Sequence, residues 1–111
     1  MIEIIVKEYL EDVLTVPVTM ERAKVPPGKY VVIERTGETT ENLLRTATIA
    51  VQAYAESMYE AALLIETVIT EMQGITQVEN VSACDMVSSY NYTDTGTEQY
   101  RYQAVFTIAY F

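Results

Sequence analysis

The chain has 111 residues, half of them hydrophobic, with 16 acidic and 7 basic residues, a net charge of −9, one cysteine and no histidine. One domain of this size can bury about two-thirds of the surface its unfolded chain exposes, and a hydrophobic share this large argues against intrinsic disorder. The missing histidine excludes a Ser-His-Asp arrangement and any histidine-containing zinc site, the lone Cys84 excludes an internal disulfide framework, and the acid excess opposes tight binding to a polyanion, which needs Lys and Arg against phosphate.

Residues 2–14 read as an amphipathic helix: Ile2, Ile5, Val6, Tyr9, Leu10, Val13 and Leu14 fall at helical spacing, with Glu3, Lys7, Glu8, Glu11 and Asp12 opposite. The same stretch, MIEIIVKEYLEDVL, alternates charge with hydrophobe, unlike the uninterrupted apolar region of a signal peptide. No apolar run approaches the ~18 residues of a membrane span. A soluble protein, cytosolic or attached to a particle, is the expectation.

From Thr15 to Arg22 the period becomes two, with Val16, Val18 and Met20 on one side, and Pro17 marks an edge strand because it has no N–H to donate. VPPGK is a turn, and YVVIERT over 30–36 is a β-branched strand, so the two strands are expected to form a hairpin. GETTEN, 37–42, reads as a polar loop. Leu43 to about Ala53 returns to period two, with Leu43, Ala47, Ile49, Val51 and Ala53 on one face and Thr46, Thr48 and Gln52 on the other.

The period then changes to 3.6 and predicts a helix over about 55–73. Its stripe is Ala55, Met58, Ala62, Ile65, Ile69 and Met72, widened by Tyr59, Leu64 and Val68, with Gly74 as its C-cap. Two strands close the chain, about 79–92 and 100–110, joined by TDTGTEQ. The order α-β-β-β-α-β-β predicts a single α+β domain: a mostly antiparallel five-stranded sheet with two helices packed on one face. The other face carries Thr46, Thr48 and Gln52. According to register, it also carries either Tyr100, Tyr102 and Phe106 or Arg101, Gln103 and Thr107.

Nothing in the chain assembles a catalytic site. Glu38 with Glu41, or Asp94 with Glu98, are loop carboxylates without a convergent partner, and the phosphate-binding glycine motifs and calcium-loop spacing are absent. Cys84 reads as a small hydrophobe in a strand, since no histidine exists to activate it. No catalytic residue, cofactor or metal is expected. Tyr90, Tyr92, Tyr100 and Tyr102, at i, i+2 spacing on paired strands, could share one face, either as cross-strand packing or as a protein interface, where tyrosine is enriched. With Arg101, Tyr110 and Phe111 they form the candidate subunit or partner interface. Glu38, Thr39, Thr40, Glu41 and Asn42, with Asp94, Thr95 and Gly96, are the candidate partner loops. A terminal strand ending Ala109-Tyr110-Phe111 is expected to leave an exposed apolar edge that a neighbouring subunit covers.

The pattern resembles the tail-terminator (tail-completion, head–tail joining) proteins of long-tailed bacteriophages and prophages. The N-terminal helix IEIIVKEYLEDVL leads into TVPVTMERAKVPPGKYVVIERTG, similar to that family's first hairpin. TATIAVQAYAESMYEAALL resembles its strand-into-helix segment, and NYTDTGTEQYRYQAVFTIAYF its closing hairpin, although relatives often carry a proline where this chain has Tyr92-Thr93-Asp94. The resemblance implies a non-enzymatic ring, typically a hexamer, in the virion tail and, during assembly, in the host cytoplasm. Such a ring caps the tail tube, ends its polymerisation and meets the head connector. Its partners would be other copies of itself, the tail-tube protein and a connector or stopper protein, with DNA only as passing cargo and no membrane. An acidic lumen would repel phosphate within a Debye length of ~8 Å. A small ligand-binding or regulatory α+β domain dimerising through its sheet is the alternative, with Arg45 and Arg101 as anion anchors. A connector stopper, a tube subunit or an enzyme are weaker readings. A tube subunit needs long arms, and the loops 37–42 and 93–99 look short for that.

Overall fold

The computed structural model describes residues 1–21, 28–93 and 99–111. Its elements are α1 (Ile2–Val13), β1 (Val18–Thr19), β2 (Tyr30–Glu41), β3 (Leu44–Ala55), α2 (Met58–Met72), β4 (Val81–Asn91) and β5 (Tyr100–Tyr110), with a 3-10 turn over Ile75–Gln77 before β4. The strands form one sheet in the order β1-β2-β3-β5-β4, antiparallel except at β1. The expected α+β class and element order are those observed.

Both helices lie on one side of the sheet because each has one apolar stripe to bury. Ile2, Val6 and Leu10 of α1 and Leu64, Ile65, Val68 and Met72 of α2 meet Val31, Ile33, Ala47, Ile49, Val51, Ala53, Phe106 and Ile108 of the sheet. The α2 stripe is rotated from the expected one: Tyr59 points to solvent, while Ala62 and Ile69 are only half-buried. The helix starts at Met58, later than expected, because Ala53 and Ala55 stay paired with Tyr102 and Tyr100. Ser57 then caps the helix, its hydroxyl accepting from the Glu60 N–H at 3.1 Å. Gly74 is not a left-handed cap; it sits at φ −89°. Its value is its small size, since a Cβ there would come within 2.7 Å of the Tyr9 hydroxyl, which donates to the Glu71 carbonyl at 2.6 Å.

Three expectations are corrected. First, β1 and β2 are not a hairpin. Val18 and Thr19 pair in parallel with Val31 and Val32, and the Val31 N–H bonds the Pro17 carbonyl at 2.9 Å. The chain has therefore returned to the same end of the sheet before β2 begins. Of the expected VPPGK turn, residues 25–27 lie outside the described residues; Gly28 adopts φ +91°, which suits glycine.

Second, GETTEN is strand rather than loop. After a bulge between Arg35 and Gly37, β2 continues to Glu41 against Leu44. The reversal is made by Asn42 and Leu43 alone, at φ +50° and +70°. Two positive φ values define the type I′ geometry that suits the twist of a two-residue hairpin. Asparagine is at home there, but leucine is not: the left-handed region costs a residue with a Cβ roughly 1–2 kcal/mol. Glu34 to Leu43 is exposed, but the opposing half, Arg45 to Ile49, stays paired with β5 and buries Ala47 and Ile49, so only the turn and its flanking Glu41–Leu44 pair project beyond β5 in a molecule 44 Å long. The polarity of the exposed stretch reflects two solvated faces, which sequence pattern alone reads as a loop.

Third, the last strand is not an edge. β5 is paired with β3 on one side and β4 on the other, and Gln103, Ala104, Phe106, Ile108 and Tyr110 are buried. The outer strands are β1, which covers only Val31 and Val32 of β2, and β4.

Candidate assembly surface

The register fixes which side chains share the sheet face away from the helices. Gln52 pairs with Gln103 and Tyr54 with Arg101, while Ala53 pairs with Tyr102 on the helix side. Arg101, Gln103 and Thr107 therefore accompany Thr46, Thr48 and Gln52 on the open face, and Tyr102 packs against the core. The bulge at Met86/Ser88 puts Tyr90 opposite Gln103, on the open face. The four tyrosines thus do not share one face: Tyr90 and Tyr92 stand with Arg101, whereas Tyr100 and Tyr102 alternate to the helix side.

On the open face a hydrogen-bond ladder crosses three strands. The Tyr54 hydroxyl donates to Gln52 Oε1 at 3.3 Å and Gln52 Nε2 to Gln103 Oε1 at 2.8 Å. Gln103 Nε2 donates to the Tyr90 hydroxyl at 2.5 Å. Arg101 closes the group, with Nη1 donating to the Tyr54 hydroxyl at 2.9 Å and Nε to the Tyr92 carbonyl at 2.5 Å. Its guanidinium carbon lies 4.4 Å from the Tyr92 ring centroid, and the Tyr90 and Tyr92 rings meet edge to face at 5.9 Å. Beside this group Tyr30 stacks on Tyr54 at 4.6 Å, and with Val32 they make a second small buried cluster. The ladder holds Arg101, Tyr90 and Tyr92 in one orientation, the two rings each about two-fifths exposed.

The ladder borders β4, whose outer edge pairs with no strand among the described residues. Edge strands are normally blunted by charge or proline. Within Val81–Asn91 the only charged residue is Asp85, and the protection comes from two bulges, at Val81/Ala83 and Met86/Ser88. Met86 and Val87 are exposed there. Sequence periodicity missed them because the second bulge breaks the alternation it relies on.

The remaining candidates separate. Tyr110 belongs to the core, 5% exposed, and its hydroxyl donates to Glu38; it is not interface in this fold, because β5 runs through the sheet interior. Phe111 is exposed, its N–H bonded to the Asn80 carbonyl at 2.9 Å. Glu38, Thr39, Thr40, Glu41 and Asn42 lie on the last part of β2 and its turn, where Glu38 also pairs with Arg35 at 3.0 Å. Arg35 in turn reaches the buried Glu3 carboxylate at 3.3 Å, tying this part of β2 to α1. Asp94, Thr95 and Gly96 lie outside the described residues.

Arg45 pairs with Tyr110 near one end of β3 and Arg101 with Tyr54 near the other. At ~3.3 Å per strand residue they stand tens of ångströms apart and do not converge on one anion. Cys84 is half-buried, and burial, then the Asp85 carboxylate, push its thiol up to about 11. That is the reverse of what a nucleophile needs. Among the described residues no group of three Cys, Asp or Glu side chains is placed to hold a metal, and no helix is long and apolar enough to cross a membrane. No model of a known protein family and no curated protein matches the chain.

Proposed function

We propose that this chain is a non-enzymatic assembly protein, a subunit of a homo-oligomeric ring of the tail-terminator kind that ends a phage tail tube and joins it to the head connector. The observation that carries the reading is the unpaired β4 edge, with exposed Met86 and Val87, running beside the preorganised Tyr90–Tyr92–Arg101 group. Edges and aromatic-arginine patches of this kind are what protein partners bury. The exposed turn at Asn42 and Leu43 adds a second projecting contact. The net charge of −9 suits a channel through which DNA passes without being held. Neighbouring copies of the chain are the partners that the β4 edge and tyrosine patch would face, and the tail tube and connector those of the assembled ring.

The test is solution mass by light scattering over a hundredfold range of concentration. The proposal expects a step to a closed oligomer, six subunits on the family resemblance. A stable dimer at every concentration would favour the ligand-binding alternative, with the open face as its dimer contact.

A further inference from the structure

Among the described residues the sheet has two open edges, on opposite sides. β4 pairs with no further strand over Val81–Asn91. β1 covers β2 only at Val31 and Val32, which leaves β2 open over residues 33–41. Because β2, β3, β5 and β4 alternate in direction, the two edge strands run opposite ways. A second copy set alongside with the same end up therefore brings its β2 edge antiparallel to β4.

The bonding groups of the two edges match. In an antiparallel ladder alternate residues turn both N–H and C=O to the same neighbour. Tyr92 donates its N–H inward to the Arg101 carbonyl, so Asn91 and Ser89 turn theirs outward, as do Met86 and Cys84 beyond the bulge. Val31 donates its N–H outward to the Pro17 carbonyl, so Ile33 and Arg35 face out as well, followed beyond their bulge by Glu38 and Thr40. On both edges these are the residues whose side chains lie on the helix side of the sheet. That shared phase lets two sheets continue as one with their helices on the same face.

β1 sets the register. Asn91, the last residue of β4, seats no closer to the start of β2 than Ile33, just past the end of β1. With Asn91 opposite Ile33, Ser89 meets Arg35, Met86 meets Glu38 and Cys84 meets Thr40, so each outward group faces an outward group. Each strand has one extra residue, Val87 in β4 and Thr36 in β2. In this register the two flank a single pair, Ser88 with Gly37, and offset each other, so the strands stay matched as far as Ala83 and Glu41. Charge agrees: Glu34, Glu38 and Glu41 meet Tyr90, Met86 and Ala83, and Asp85 meets Thr39, so no like charges stand opposite. β2 against a second β2 would instead bring three carboxylates against three.

We infer that β4 of one copy pairs antiparallel with residues 33–41 of β2 in the next, so that the sheet runs on from subunit to subunit and both edges are covered. The occupant of each edge is a second copy of this chain. The two surfaces differ, so the contact is head-to-tail and either closes into a ring or propagates. The inference rests on the assembly reading and names the joint between subunits.

The experiment places two cysteines across the joint in the full chain, with Cys84→Ala as background. Asp85→Cys and Thr39→Cys stand opposite in a non-hydrogen-bonded pair, about 4.5 Å between Cα atoms, within the span of a disulfide. Inside one chain β3 and β5 separate β2 from β4 by roughly 14 Å, too far to bridge. Under mild oxidation the joint predicts chains linked into successive multiples that end at one closed number, and no linking when Ser89→Cys replaces Asp85→Cys. Ser89→Pro is the second variant. Its N–H points out of the monomer, so the edge tolerates proline, while the joint loses a ladder bond and its dissociation constant rises at least about tenfold. Linking by Asp85→Cys alone would set β4 against β4 and refute the joint. An unlinked pair, or unchanged assembly of Ser89→Pro, in a protein whose wild type assembles would also refute it, while the ring stands. If wild type stays monomeric to millimolar concentration, both are refuted.

Discussion

Replacing Leu43 by glycine is expected to stabilise the isolated subunit, although it deletes a large hydrophobic side chain. The side chain is 87% exposed, so its removal forfeits little burial. Relieving a left-handed residue with a Cβ returns roughly 1–2 kcal/mol, and the extra freedom that glycine gives the unfolded chain takes back about 0.4–1 kcal/mol. The net gain is about 0.5–1 kcal/mol. With an unfolding entropy near 2.1 cal/mol/K per residue, the 111-residue chain should melt roughly 2–4 °C higher. The assay is thermal unfolding followed by circular dichroism at low micromolar concentration, where self-association contributes least. Leu43→Val, with its β-branch at a positive φ, should move the melting temperature down. A lower melting temperature for Leu43→Gly would mean that Leu43 is packed within its own subunit, and the reasoning about a spare, strained tip would fail.

Three further outcomes follow from the packing. Phe106→Ala empties a core position that is 2% exposed between the sheet and α2 and should cost about 3–5 kcal/mol in urea unfolding. Gln103→Leu breaks the ladder and leaves Gln52 and Tyr90 without their partner. It should cost about 1–3 kcal/mol and weaken partner binding, because Tyr90 is no longer held. The Cys84 thiol, raised from 9.0 to about 11 by burial and then by Asp85, keeps its proton more tightly folded than unfolded. Its contribution to stability is therefore whole below about pH 9 and is lost as pH rises toward 11. Cys84→Ala should flatten the decline of stability over that window. The remaining slope belongs in part to Tyr9, which burial and Glu71 also push upward; unchanged curves for the two proteins would refute the assignment.

The helices, the element order and the identity of the core strands were legible because each has a one-sided apolar pattern. Ile2, Val6 and Leu10 in α1 and Ala47, Ile49, Val51 and Ala53 in β3 are periodic for the reason that they are buried. What was not legible depends on pairing. Nothing local says that β1 runs parallel to β2, since both orientations satisfy the alternation of Val16, Val18 and Met20. Placing β5 inside the sheet requires knowing that β3 pairs with it instead of leaving it at an edge. The last part of β2 was mistaken for a loop because a strand solvated on both faces has no hydrophobic period. The tyrosines were divided between faces by register, which alternation does not give.

At the candidate surface, Tyr90, Tyr92 and Arg101 are singled out in the sequence by the i, i+2 spacing of tyrosines on two adjoining strands. Met86 and Val87 were hidden by the bulge between Met86 and Ser88, and Leu43 was counted into a strand's apolar face although it forms the turn. Its one sequence signal is Asn-Leu where a hairpin would carry Asn-Gly, and that signal can be read only once the turn is known.

The central claim is that these surfaces exist to join copies of the chain. Its most direct test is the mass of the wild-type protein in solution, followed by light scattering from micromolar to hundreds of micromolar concentration. The account predicts a concentration-dependent step from 12.5 kDa to one closed oligomer, with no species growing beyond it. A mass that stays at one chain, or rests at two throughout, would contradict it.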